Sequence, residues 1–160
     1  LSMGTLSKAA GSYGGFVACS VPMRELLVNR ARALIYTTAL PPSVVASSIA
    51  ALEILQASPE MGSELLKRAD GFRSRLKDAG LDTLQSASQI VPIVVGENSK
   101  ALVLAERLRA AGILAVAIRP PTVPQGSARL RLSITLEHSK SDLARAAGLI
   151  IAAAKEEGVL

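Results

Sequence analysis

The sequence predicts an α/β fold arranged in two lobes, and three observations carry that reading. Short β-branched runs alternate with helical stretches that bear an apolar stripe. One of those runs, Ala128 to Ile134, alternates strictly, with Leu130, Leu132 and Ile134 on one face and Arg129, Arg131 and Ser133 on the other. The helix entry Ser58-Pro59-Glu60 divides the chain into residues 1–57 and 58–160. With 160 residues and 49% apolar content, the chain can build one domain or two small cored lobes. Charged residues make up 19% and are well mixed, which argues against disorder.

In the first lobe, Leu1-Ser2-Met3 reads as the tail of a strand, and the chain as a C-terminal piece of something longer. The glycine-led apolar run Gly14 to Ser20 predicts a buried strand. Pro22 permits a helix start, and Met23 to Arg32 predicts a short helix. Leu34 to Pro42 (LIYTTALPP) pairs two threonines with two prolines, a poor helix, and predicts an extended segment closing in a sharp turn. Val45, Ile49, Leu52 and Leu55 then recur at helical spacing over Ser43 to Gln56.

The second lobe opens on a long helix. Ser58 is expected to cap it, Met61, Leu65, Ala69, Phe72 and Leu76 form its stripe, and it ends near Gly80. Lys67, Arg68, Arg73, Arg75 and Lys77 read as its solvated face. Ile90 to Gly96 is a β-branched strand whose Pro92 calls for an edge position or a bulge. Asn98 or Ser99 is expected to cap a helix ending at Gly112, and Ile113 to Ile118 reads as a strand. Ser139 with Asp142 predicts a capping box opening a last helix lined by Leu143, Ala146, Ala147, Ile150 and Ala154.

Composition narrows function. The net charge is +5, but aromatics are 2% and the arginines are dispersed, so a nucleic-acid-binding surface is poorly supported and an anionic small molecule suits the charge better. One histidine and one cysteine leave no His/Cys metal cluster and no internal disulfide. Cys19 is expected to be a small buried residue in a cytoplasmic protein. No apolar run is long enough to span a bilayer.

Three stretches could carry chemistry. In Gly4 to Gly15 (GTLSKAAGSYGG), Lys8 sits among small hydroxyl residues and glycines. Such a lysine can be solvated, bind a phosphate, or form a Schiff base with a carbonyl. It does not fit a nucleotide P-loop, because Lys8 precedes Gly11 and no helix follows. Thr37 and Thr38 offer hydroxyls to phosphate oxygens or to their own backbone. In Ile118 to Leu132, three prolines stiffen a loop around Thr122, followed by Arg129 and Arg131. An arginine there can clamp a carboxylate, or stand on the wet face of an edge strand.

Taken together, these stretches resemble the α-oxoamine synthases, a family of fold-type I enzymes that use pyridoxal 5'-phosphate (PLP). The resemblance runs over essentially the whole chain and is strongest for IRPPTVPQGSARLRLSITLEHS, which is most similar to the biotin-pathway branch. It implies the end of a PLP-binding large domain followed by a small α/β domain with a mainly antiparallel sheet. Lys8 is then the catalytic Schiff-base lysine, Thr5 a ligand of the cofactor phosphate, and Thr37 and Thr38 the pair reaching the phosphate of the partner subunit's cofactor. Thr122 would contact substrate, and Arg131, in preference to Arg129, would grip the amino-acid carboxylate. No role is implied for His138. The implied reaction is the decarboxylative condensation of L-alanine with a pimeloyl thioester, as an acyl-CoA or carrier-protein conjugate, in a homodimer whose active site lies at the subunit interface. A glycine-using relative and a non-catalytic phosphate-binding or dimerisation piece are the alternatives. The family's ring-stacking histidine and pyridine-pairing aspartate lie upstream of the lysine, so the chain alone is expected to catalyse little.

Overall fold

A computed structural model describes residues 1–160, and the chain separates into two compact units, Leu1–Pro59 and Glu60–Leu160. In the first unit, β1 (Ser2–Thr5) and β2 (Gly15–Ala18) form an antiparallel hairpin in which Gly4 faces Phe16 and Thr5 faces Gly15. The glycines are needed for that approach. A Cβ on Gly4 would sit 2.8 Å from the Phe16 ring, and one on Gly15 would sit 3.1 Å from the Gly4 carbonyl oxygen. Helices α1 (Val21–Arg30), α2 (Arg32–Ile35) and α3 (Pro42–Ala57) follow.

Several expectations for this unit need correction. Strand β2 is exposed along its whole length, and Cys19 is only half-buried. The segment expected to be extended begins with the short helical turn of α2 and becomes irregular only after Tyr36. Helix α3 forms, but Val45, Ile49, Leu52 and Leu55 are all exposed, and its one buried residue is Ser48. The apolar pattern records which side chains seek cover; it does not record what covers them.

The second unit has an apolar core. Strands β3 (Ile90–Gly96), β5 (Ala128–Ser133) and β4 (Val116–Ile118) form a three-stranded antiparallel sheet in that order, with β5 central. Val91, Ile93, Leu130 and Leu132 point to one face, where they pack with Phe72 and Leu76 of α4 (Met61–Asp78), Leu104 and Leu108 of α5 (Asn98–Ala110), and Ile150 of α6 (Lys140–Glu156). Strict alternation in β5 therefore sends its arginines to the other face. Pro92 is tolerated on β3 because that strand lies at the sheet edge, and its register shifts between Val94 and Gly96.

Cap positions differ from expectation. Helix α4 starts after Glu60, so Ser58 is not its cap, and α5 starts after Glu97 with no side-chain cap. Strand β4 is also shorter than the six residues read from the sequence. The cationic face of α4 is not simply solvated. Arg73 is buried and donates to the Ser88 carbonyl at 3.2 Å and to Asp70 at 2.8 Å. Arg68 donates to Glu64 and to the carbonyls of Leu136 and His138, at 2.9, 2.7 and 3.1 Å.

The capping box of α6 forms as read. The Ser139 hydroxyl accepts from the Asp142 amide at 3.1 Å, and the Asp142 carboxylate accepts from Ser139 N–H at 3.2 Å. Hydrogen bonds from Ser139 hold the Asp142 carboxyl below its ordinary range. A carboxyl lowered by folding contributes stability above its unfolded pKa and loses it as pH falls through the lowered value. Ser139→Ala is therefore expected to lower the thermal midpoint of this unit by about 4–8 °C near neutral pH. In thermal melts run against pH, that difference should shrink in acid.

Candidate functional site

The structure gathers the sequence-read residues into three places. The first is the loop joining β1 to β2. Two backbone hydrogen bonds close it, Leu6 N–H to the Gly14 carbonyl and Ser12 N–H to the Leu6 carbonyl, both at 2.9 Å. Gly11 and Gly14 turn it with φ of 58° and 102°, in the left-handed region that glycine adopts without strain. Lys8 lies at its tip, exposed, with its carbonyl accepting from Gly11 N–H at 3.0 Å and its ammonium in no salt bridge or hydrogen bond. Thr5 stands at the loop base, where its hydroxyl meets Ser7 Oγ at 2.7 Å, accepts from Ser7 N–H at 3.2 Å, and reaches the Gly14 carbonyl at 3.3 Å.

A feature that sequence reasoning missed holds this loop in place. Ser48, buried on α3, has its Oγ 2.8 Å from Ser12 Oγ and 2.9 Å from the Val44 carbonyl oxygen, and Ser12 Oγ is 3.1 Å from the same carbonyl. The loop carrying Lys8 is thereby pinned to a helix, as a positioned reactive group requires. The signal was a serine pair, Ser47-Ser48, interrupting the apolar run from Val44 to Leu52, but nothing local says what it bonds.

Thr37 and Thr38 occupy the second place, an exposed irregular segment between α2 and Pro41. Leu40, two residues on, lies against the lysine loop, since a Cβ on Gly14 would sit 2.9 Å from Leu40 Cδ1.

The third place is the open face of the three-stranded sheet, where Thr122, Arg129 and Arg131 line one cleft of about 460 Å³. Arg131 sits on the central strand, with Pro92 across from it on β3 and Val116 across from it on β4. The strand that carries these arginines is therefore central in the sheet and not an edge, and the face they stand on is open. The two differ in availability. Arg129 is half-buried and donates from Nε to the Ser127 carbonyl at 3.1 Å, whereas Arg131 is exposed and makes no salt bridge or hydrogen bond. No acidic side chain lines the cleft. Thr122 is held by its N–H to the Arg119 carbonyl at 3.0 Å, in the loop that contains the cis Pro120-Pro121 bond. An unpaired guanidinium among apolar neighbours suits an organic carboxylate, which supplies both the opposite charge and an apolar body.

Comparison with known proteins identifies the class of protein to which this chain belongs. The chain belongs to the aminotransferase class I and II family, whose pattern matches residues 1–150. Within it, the chain is 46% identical over 160 residues to a putative 8-amino-7-oxononanoate synthase of Geobacillus kaustophilus, covering 100% of this chain and 41% of that protein. Its fold matches a serine palmitoyltransferase solved with PLP at a TM-score of 0.90 and 32% identity, covering 99% of this chain and 40% of that one. It matches 8-amino-7-oxononanoate synthase of Francisella tularensis at 0.82 and 26%, covering 98% and 46%. Both activities fall in the oxoamine-synthase group that the motifs resemble. The chain spans about two-fifths of the length of the curated relative. No helix is long and apolar enough to cross a membrane, and no group of three or more His, Cys, Asp or Glu side chains is placed to hold a metal ion.

Proposed function

We propose that this chain is part of a PLP-dependent C-acyltransferase that joins L-alanine to a pimeloyl thioester, giving 8-amino-7-oxononanoate, coenzyme A or free carrier, and CO2. The observation that carries the reading is Arg131, unpaired at the centre of an apolar sheet face, in a chain whose one loop lysine is free and braced. The lysine loop fits the cofactor. Its amine is uncommitted, its backbone is tightened by glycines where a Cβ would collide, and the Thr5 hydroxyl stands at its base.

In this reading, Lys8 would hold PLP covalently through Nζ, and Thr5, with Thr37 and Thr38 from the partner subunit of a homodimer, would hold its phosphate. Bound PLP supplies an electron sink for negative charge at the amino-acid Cα. Arg131 orients the amino acid through two parallel hydrogen bonds to its carboxylate, and Thr122 contacts substrate beside it. Lys8 Nζ would take the Cα proton as general base. The Cα–acyl carbon bond forms, and the carbon–sulfur bond breaks with the thiolate leaving. The Cα–carboxylate bond then breaks to give CO2, and a proton returns to Cα.

The test is an assay of the complete protein with pimeloyl-CoA and, separately, alanine, glycine and serine. Alanine is expected to give the highest kcat/KM, by tenfold or more. Turnover with glycine and not alanine would assign the chain to a glycine-using relative.

A further inference from the structure

Helix α4 carries a glycine that its packing does not require. Gly71 lies in the interior of Met61–Asp78, outside the left-handed region, and a Cβ built on it meets no atom within 4 Å. A glycine at such a position weakens a helix relative to alanine. What the missing side chain leaves is a groove. Lys67, Gly71 and Arg75 follow one another at four-residue spacing on one face of α4, so bare backbone lies between two long cations. Lys140, the first residue of α6, lines the groove from the other helix, and buried Phe72 and Leu143 line it from the core. The cavity measures about 310 Å³. Helices α4 and α6 cover the core face of the sheet, whereas the Arg131 cleft opens on the other face.

The charge in this groove is one-sided. Lys67, Arg75 and Lys140 are exposed and make no salt bridge or hydrogen bond. The one carboxylate in the lining, Glu64, is already committed to Arg68 at 2.9 Å. A hydrogen bond from Arg68 holds the Glu64 carboxyl below its ordinary range, and the charges of Lys140 and Lys67 act in the same direction, so cations from both helices converge here. Arg68 is itself fixed by the Leu136 and His138 carbonyls, at 2.7 and 3.1 Å. A cleft lined by one sign of charge over apolar walls concentrates small ions of the other sign.

We propose that this groove binds a diphosphate group, free or carried by a nucleotide. Three uncommitted cations on two elements exceed what a single carboxylate neutralises. The concave shape suits a compact ion better than the flat surface of an acidic protein. A diphosphate spreads about three negative charges over several acceptor oxygens, which lysine meets as a point charge and arginine as a two-pronged donor.

The test is calorimetric titration of the complete, cofactor-loaded protein with sodium pyrophosphate. A Kd below about 1 mM at low salt is expected, weakening as ionic strength rises. Lys67→Gln combined with Arg75→Gln should weaken binding by about tenfold or more. Gly71→Leu puts a side chain into the groove from a Cβ that meets nothing, and should abolish saturation while holding or raising the thermal midpoint. If Gly71→Leu lowers the midpoint, Lys140→Gln takes its place, with an expected loss of about threefold or more. Adenosine 5'-diphosphate binding about fivefold tighter than pyrophosphate would make the ligand a nucleotide, and equal or weaker binding would make it the free ion. No saturation, or a Kd unchanged in either variant, overturns the proposal. So does an oligo-aspartate peptide that binds more tightly than pyrophosphate and loses affinity in the same variants, because the face would then be a dock for an acidic protein. Binding is read throughout, so failure of the acyl-transfer reading leaves the outcome decisive.

Discussion

Replacing Lys8 with alanine in the complete protein is expected to lower kcat by about 10³-fold or more and to abolish borohydride-stable attachment of cofactor. Lys8 is the only lysine in residues 1–59, and that stretch has no histidine, so its unit holds no other amine or imidazole to take over. The same substitution should scarcely change thermal stability. The Lys8 side chain is exposed and makes no hydrogen bond or salt bridge, while the loop is closed by backbone bonds and by Ser12–Ser48. A loss of activity with an unchanged melting midpoint places the defect in the chemistry. Two outcomes would remove Lys8 from its role: cofactor mass on another lysine after reduction, or near-normal turnover in the variant. Retained attachment alongside lost activity is not available to an alanine, so the two readouts must fall together.

The parts of the fold that were legible in the sequence are those whose causes are local. Strand β5 alternates because each inward residue, Ala128, Leu130 and Leu132, is buried in the core, so pattern and burial have one cause. The α6 capping box spans four residues and needs no distant partner. The parts that escaped depend on distant partners. Arg73 reads as solvated because its neighbours at 68, 75 and 77 are cationic, yet it turns inward to a carbonyl fifteen residues away. Ser48 reads as an incidental polar residue, and its bond to Ser12 crosses thirty-six positions. The left-handed backbone of Leu84 has no signal at its own position, since leucine is not a residue that seeks it, and the bracing comes from Asp82 and β3. The same division holds for the candidate site. Lys8, Thr122 and the arginine pair Arg129 and Arg131 were candidates by residue type and setting, and the family resemblance chose Arg131; the Ser12–Ser48 bond that braces the Lys8 loop left no local signal.

Arg131 carries the second large expected effect. Arg131→Lys in the complete protein should reduce kcat/KM for the amino acid by about 10²-fold, and Arg131→Ala by about 10³-fold. A lysine retains the charge but cannot present the planar fork that makes two parallel hydrogen bonds, so the interval between the two variants measures geometry apart from charge. If Arg131 orients the amino acid as proposed, kcat should fall along with the rise in KM. Arg129→Lys is the internal comparison. Arg129 projects from the same strand onto the same face, but it is half-buried and its Nε is already spent on the Ser127 carbonyl. Its loss should cost less than tenfold in kcat/KM and show more in stability. Equal losses at both positions would mean that the cleft gathers charge without discriminating, and the preference for Arg131 would fall. A larger loss at Arg129 would reverse the assignment and place the carboxylate nearer Ile118, its neighbour on β4, than Val116.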